Sequence, residues 1–188
     1  MAAISPPVCE FGWQARAFSL PDTAGKIWTL GSAQGPRGLL VMFICNHCPY
    51  VMSVIDRLCR DAAEIQALGV GVVAVMSNDV AAYPDDAPDR MVEVASEHDF
   101  SFPYLFDADQ AVARAYGASC TPDFFGFNHK RELHYRGRLD SSGRAPATAE
   151  TRRELVEAMR LIAATGKGPE NQVASIGCSL KWKAGAKF

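Results

Sequence analysis

Two thiols stand two residues apart in this chain, Cys45 and Cys48, within the stretch GLLVMFICNHCPYV of residues 38–51. A cysteine pair at this spacing closes into a disulfide, reopens by thiolate exchange, or supplies half of a metal site. The flanks narrow the choice. Residues 39–44 are an unbroken apolar run with Gly38 before it, and Pro49 follows the second cysteine. The pattern predicts a buried strand delivering the dithiol to the start of a helix, where Pro49 sits in the first turn and has no amide hydrogen bond to lose. Unpaired amides and the positive end of a helix dipole favour a thiolate there. Cys45 is therefore expected to be the nucleophile, with Cys48 one turn on to form the disulfide with it. His47, between them, adds positive charge when protonated and is expected to tune the thiolate.

The elements that must hold the pair follow from periodicity. A helix is expected over residues 49–68, with Val51, Ile55, Leu58, Ala62 and Ile65 at steps of three and four and Gly69 as its stop. VGVVAVM, residues 70–76, reads as a second buried strand, and strand, helix, strand at this length implies a right-handed parallel crossover. Residues 15–30 predict a hairpin around Pro21 to Gly25, with Phe18, Leu20, Ile27 and Leu30 toward the core. Between the two halves lies an insertion. Asp86 is expected to cap a helix over residues 88–97, residues 102–106 are extended, and Asp107 with Gln110 opens a helix ending at Gly117. CTPDFFGF, residues 120–127, then pairs with ELHYRGRL, residues 132–139, and Thr151 with Glu154 marks the start of a last helix. Residues 167–188 show no strong periodicity and read as an irregular tail of a single 1–188 domain.

At 188 residues the chain fits one domain, and 48% hydrophobic residues suffice to build its core. A net charge of −2 with dispersed lysines and arginines provides no basic field for nucleic acid, and no membrane partner is expected. The N-terminus lacks the basic flank and apolar core of a signal peptide, so a cytoplasmic location is the expectation. The six cysteines are unevenly spaced, and in a reducing compartment the CxxC pair points to redox or metal chemistry rather than to scaffolding.

With a strand running into CxxC and a helix, and Thr121-Pro122 before a late strand, the chain resembles the thioredoxin fold. FICNHCPYV, SND followed by YPDDAP, FPYLFD, YGASCTPDFFGF, YRGRLD and IGCSLKWK together resemble the peroxiredoxin-like thioredoxin proteins grouped near the AhpC/TSA redoxins. The resemblance implies an α/β architecture with a central mixed sheet flanked by helices, and Pro122 in cis beside the dithiol. It implies thiol-disulfide exchange with a protein partner and a thiol reductant, with no cofactor. Thr121 is expected to offer its backbone to an extended substrate beside Pro122. The dithiol oxidase DsbA carries histidine at the position of His47, which implies a couple less reducing than the roughly −270 mV of thioredoxin.

A peroxidase reading needs Pro-x-x-x-Thr-x-x-Cys, and placing Cys48 at that cysteine puts Cys45 at the threonine and Val41 at the proline. The arginine such enzymes hold at the late strand is replaced by Thr121-Pro122. Dithiol exchange is thus favoured, with a thiol peroxidase and a non-catalytic binding module as the alternatives. A structural zinc would need two further ligands from Cys120, Cys178, His98, His129 or His134, and no second close pair exists, so no metal is expected. Cys120 and Cys178 are candidate further redox thiols, Cys59 is expected to be buried and inert, and Cys9 incidental.

Overall fold

The computed structural model describes residues 3–5 and 10–185. Cys9 lies outside them. In chain order the elements are β1 (Ala3–Ile4), β2 (Ser19–Pro21), β3 (Ile27–Thr29), α1 (Leu30–Ala33), β4 (Gly38–Phe43), α2 (Pro49–Met52), α3 (Ile55–Ala67) and β5 (Val70–Met76). A single 3-10 turn, Pro84–Asp86, precedes α4 (Pro88–Glu97), β6 (Tyr104–Phe106), α5 (Ala111–Tyr116), β7 (Cys120–Thr121), β8 (Asp123–Asn128), β9 (Leu133–Tyr135), α6 (Glu154–Thr165) and β10 (Gly177–Ser179).

The sheet is mixed, as the resemblance implies. β4 runs antiparallel to β8 and β8 to β9, while β5 and β6 are parallel. β5 lies beside β4, where the Ile44 amide donates to the Val75 carbonyl at 3.1 Å. Apolar residues run unbroken through β4 because both of its faces are covered. Leu40, Met42 and Ile44 enter one core with Leu58, Ile65, Met159 and Ile162 of the helices, while Leu39, Val41 and Phe43 enter a second with Tyr116, Phe125 and Phe127. Gly126 lets α6 approach β8, since a Cβ there would stand 2.5 Å from the Met159 sulfur. α6 is held to α3 by Arg153, which bonds Asp61 at 2.6 Å and Glu64 at 2.7 Å.

Several expectations are corrected. The helix after the dithiol is broken at Ser53 and Val54, where the Ser53 hydroxyl takes the Tyr50 carbonyl at 3.3 Å and Val54 leaves helical geometry at φ −122, ψ 0. The break turns Val51, Val54 and Ile55 all into the core. Ile27 points outward. Thr151 does not cap the last helix, because its hydroxyl is engaged by Ser142 and by the Thr148 amide. Asp107 does serve α5, from further back than a capping box, accepting from the Val112 and Ala113 amides. Most consequential, the tail is not wholly irregular: β10 pairs antiparallel with β7, and β1 adds to its far edge. Gly177 and Ser179 carry little intrinsic strand preference, so only this pairing makes the segment extended.

Candidate active site

β4 and the loop after it bring Cys45 to 3.3 Å from the Thr121 hydroxyl and Cys48 to 3.2 Å from the Thr121 carbonyl oxygen. The Thr121-Pro122 bond is cis. The dithiol and the late-strand dipeptide, 73 to 76 residues apart in the chain, are thus one site. All five described cysteines are free thiols.

Helix geometry departs from expectation. Cys48, not Cys45, is the residue that opens α2, and α2 is a single turn. Its dipole is correspondingly small, and Cys45 lies outside it. Charge in the reduced pair is instead set by side chains. Hydrogen bonding to Cys48, burial and the Asp86 carboxylate push the Cys45 thiol well above its usual range. The bond from Cys45, working against burial, draws Cys48 down to about 4, with help from Cys178 and Thr121. One proton is therefore held tightly between the sulfurs. Asp86 opposes charge on Cys45, so the remaining proton is kept on the pair.

Asp86 is the site residue that sequence reasoning misplaced. It does not cap α4, whose first residue follows Ala87 with no side-chain cap. The 3-10 turn instead directs its carboxylate inward, fully buried, where it accepts from the Asn46 amide at 2.9 Å and from the Asn78 side chain at 2.7 Å. His47 Nδ1 stands 2.9 Å from the second oxygen, off the line of a hydrogen bond. The His47 ring stacks on Tyr83 at 5.8 Å. The imidazole expected to act on the thiolate thus lies against Asp86. Asn78 in turn accepts from the Lys181 amide at 2.9 Å, and Tyr104 donates to Asn46 at 2.9 Å. The SND and YPDDAP segments are the only sequence signal for this network, and nothing in their periodicity distinguishes it from a solvated loop.

Among the described residues, the atoms spaced to hold a metal ion are those of Cys45, His47 and Asp86, all within 4.8 Å of one another. None of the additional zinc ligands considered from sequence belongs to this set. The donors suit a divalent transition metal, but Asp86 already accepts on both oxygens and Cys45 is committed to Cys48. The fit is poor.

Both sulfurs are buried, Cys45 at 2% exposure and Cys48 at 0%. A pocket of about 220 Å³ opens beside Pro122, lined in part by Tyr50, Val54, Phe124, Val173 and Ile176. The backbone edge that an extended substrate was expected to use is occupied: Cys178 lies directly opposite Thr121, and Ser179 opposite Cys120. Cys178 lies in the same buried cluster as Cys45 and Cys48, and Cys178 and Cys48 perturb each other's thiols. Cys120 points the other way, and burial holds its thiol far above the usual range. Cys59 is half-buried rather than buried, its thiol pushed up to about 11 by burial and then by Asp56 and Asp99.

This fold is that of the redoxins. The sequence profile of the AhpC/TSA family matches residues 11–138, and the chain belongs to that family. Among solved structures it is similar to an uncharacterized conserved protein from Geobacillus kaustophilus, at 40% identity and a TM-score of 0.91 over 99% of both chains. It is also similar to a hypothetical protein from Sinorhizobium meliloti 1021, at 36% identity and a TM-score of 0.88, covering 96% of this chain and 99% of that one. A putative thiol:disulfide interchange protein DsbE from Chlorobium tepidum shares the fold at 21% identity and a TM-score of 0.60, over 83% of this chain and 99% of that one. No curated protein matches the sequence.

Proposed function

We propose that this redoxin is a thiol-disulfide oxidoreductase that exchanges the Cys45–Cys48 dithiol with a disulfide of a partner. The observation that carries the reading is the meeting of both sulfurs on Thr121, Cys45 against its hydroxyl and Cys48 against its carbonyl oxygen, directly before Pro122. Cys45 attacks, because Cys48 is fully enclosed and flanked by Cys178. The proton on Cys45 must leave for this, and His47, paired with Asp86 and within 4.8 Å of the Cys45 sulfur, is positioned to take it. The Cys45 thiolate bonds to one sulfur of the partner and the other leaves as a thiolate. Cys48 then attacks Cys45, releasing the partner as a dithiol and leaving the Cys45–Cys48 disulfide, which a thiol reductant resets. With β10 on the Thr121 edge, the partner is recognised through the apolar pocket beside Pro122 rather than by strand addition.

The test is reduction of insulin with dithiothreitol as donor. Cys45→Ser should abolish turnover and Cys48→Ser should accumulate a mixed disulfide. Full activity in Cys45→Ser together with no trapped species in Cys48→Ser would refute the assignment. The depth of the sulfurs favours one second reading, reduction of a small hydroperoxide, which fits where a protein does not. Peroxide consumption coupled to a thioredoxin system tests it, against the absence of the threonine, proline and arginine that such chemistry uses.

A further inference from the structure

Residues opposite one another in an antiparallel pair send their side chains to the same face. Thr121 sends its hydroxyl to Cys45, and its partner in β10 is Cys178, so Cys178 faces the dithiol and packs in one buried cluster with Cys45 and Cys48. β10 also takes the edge of the cis-proline strand, the position expected of a substrate segment. Its approach there is unusually close: a Cβ at Gly177 would stand 2.1 Å from the Thr121 carbonyl oxygen and 3.1 Å from the Pro122 nitrogen. On the other side β10 is held by β1, and the segment beyond it is tied to Asn78 and to Gln110 through Lys181 and Lys183. The chain thus presents a cysteine of its own to its own dithiol.

We propose that Cys178 is a third redox thiol that takes over the disulfide, converting Cys45–Cys48 into Cys48–Cys178. This rests on the exchange reading above. In the step, Cys178 Sγ bonds to Cys48 Sγ as the Cys48–Cys45 bond breaks. The electron pair of that bond leaves on Cys45, which receives the proton given up by Cys178, and no electron enters or leaves the protein. Cys45 is returned as a thiol while the oxidising equivalents stay in the tail strand for the reductant to collect. The surroundings of Cys178 bear on its readiness to attack. In the reduced protein Cys178 is held protonated by burial and then by Cys48, while Lys181 and the Tyr50 amide favour its thiolate. Once Cys48 is tied in a disulfide its opposing influence is gone, and Lys181 and the Tyr50 amide act against burial alone.

The two disulfides are distinguishable after tryptic digestion, because Cys45 and Cys48 share the peptide of residues 38–57 while Cys178 lies on residues 168–181. The full chain is equilibrated in oxidising dithiothreitol buffer, quenched with acid, alkylated, digested and analysed by mass spectrometry. The expected result is the cross-linked pair of peptides beside the internally bridged one. Cys45→Ser under the same conditions is expected to lose two thiols to the cross-link. An internally bridged peptide with no cross-linked species, or a Cys45→Ser protein that keeps both thiols, overturns the relay and leaves dithiol exchange standing. Absence of both disulfides in the wild-type chain overturns the exchange reading itself.

Discussion

Asp86, buried beside the dithiol, bears on the Cys45 thiol from outside the helix that the pair precedes. After the bond to Cys48 and burial, the Asp86 carboxylate adds to what holds the proton on Cys45. Asp86→Asn should therefore lower the pH midpoint for alkylation of Cys45 by about one unit, equivalent to about 1.4 kcal/mol. Rapid-quench alkylation with peptide mass spectrometry reads this directly, and an unmoved midpoint would show that Asp86 serves structure alone. A second consequence concerns the couple. With Cys48 drawn down to about 4 and Cys45 pushed well up, the reduced pair carries one proton across the neutral range. Two-electron reduction then takes up one proton, so the potential should fall by about 30 mV per pH unit instead of about 59. A slope near the larger value between about pH 5 and pH 8 would mean that the pair sheds no proton early. Cys59, although half-buried, should stay unalkylated at pH 8, since its thiol is held up to about 11.

At the scale of elements, β10 is the piece whose placement organises the site. Gly177 is required by the approach of β10 to β7, because any side chain meets the Thr121 carbonyl. Gly177→Ala should cost about 1–3 kcal/mol, the usual penalty of overpacking, and show as a lower melting temperature. It should also diminish the Cys48–Cys178 cross-link. Gly185→Ala, at a position where a Cβ meets nothing within 4 Å but φ is +78, is a control for backbone strain without a clash. Equal destabilisation by both substitutions would remove the steric argument.

For the whole molecule the dithiol is coupled to stability. Cys48 has a lower pKa folded than unfolded, so the reduced protein gains stability as pH rises from about 4 to the unfolded thiol value near 9. Above that value Cys45 works the other way: the unfolded chain ionises it while the fold keeps it protonated, and stability falls. The disulfide form has neither group to titrate. Urea unfolding of the two forms across this range should show the reduced protein gaining on the oxidised one up to about pH 9 and then losing ground. A pH-independent difference between them would contradict the shared-proton site.

Much of this was legible in one dimension. The apolar runs of β4 and β5 are continuous because both faces are buried, the CxxC stands where a strand ends, and Pro49 and Gly69 mark boundaries that hold. Local chemistry fixes such features, so the redoxin architecture and the cysteines of interest could be read from residue order alone. Asp86 beside Cys45, and Cys178 beside Cys48, lie 41 and 130 positions apart in the chain. No local preference encodes either meeting. Asp86 looks from sequence like a helix cap, and a Gly-Cys-Ser tripeptide has no reason to be a strand until another strand is beside it. Only the packing of the loop and the tail against the cis-proline edge brought these groups to the dithiol, because burial and charge act through space and not along the backbone.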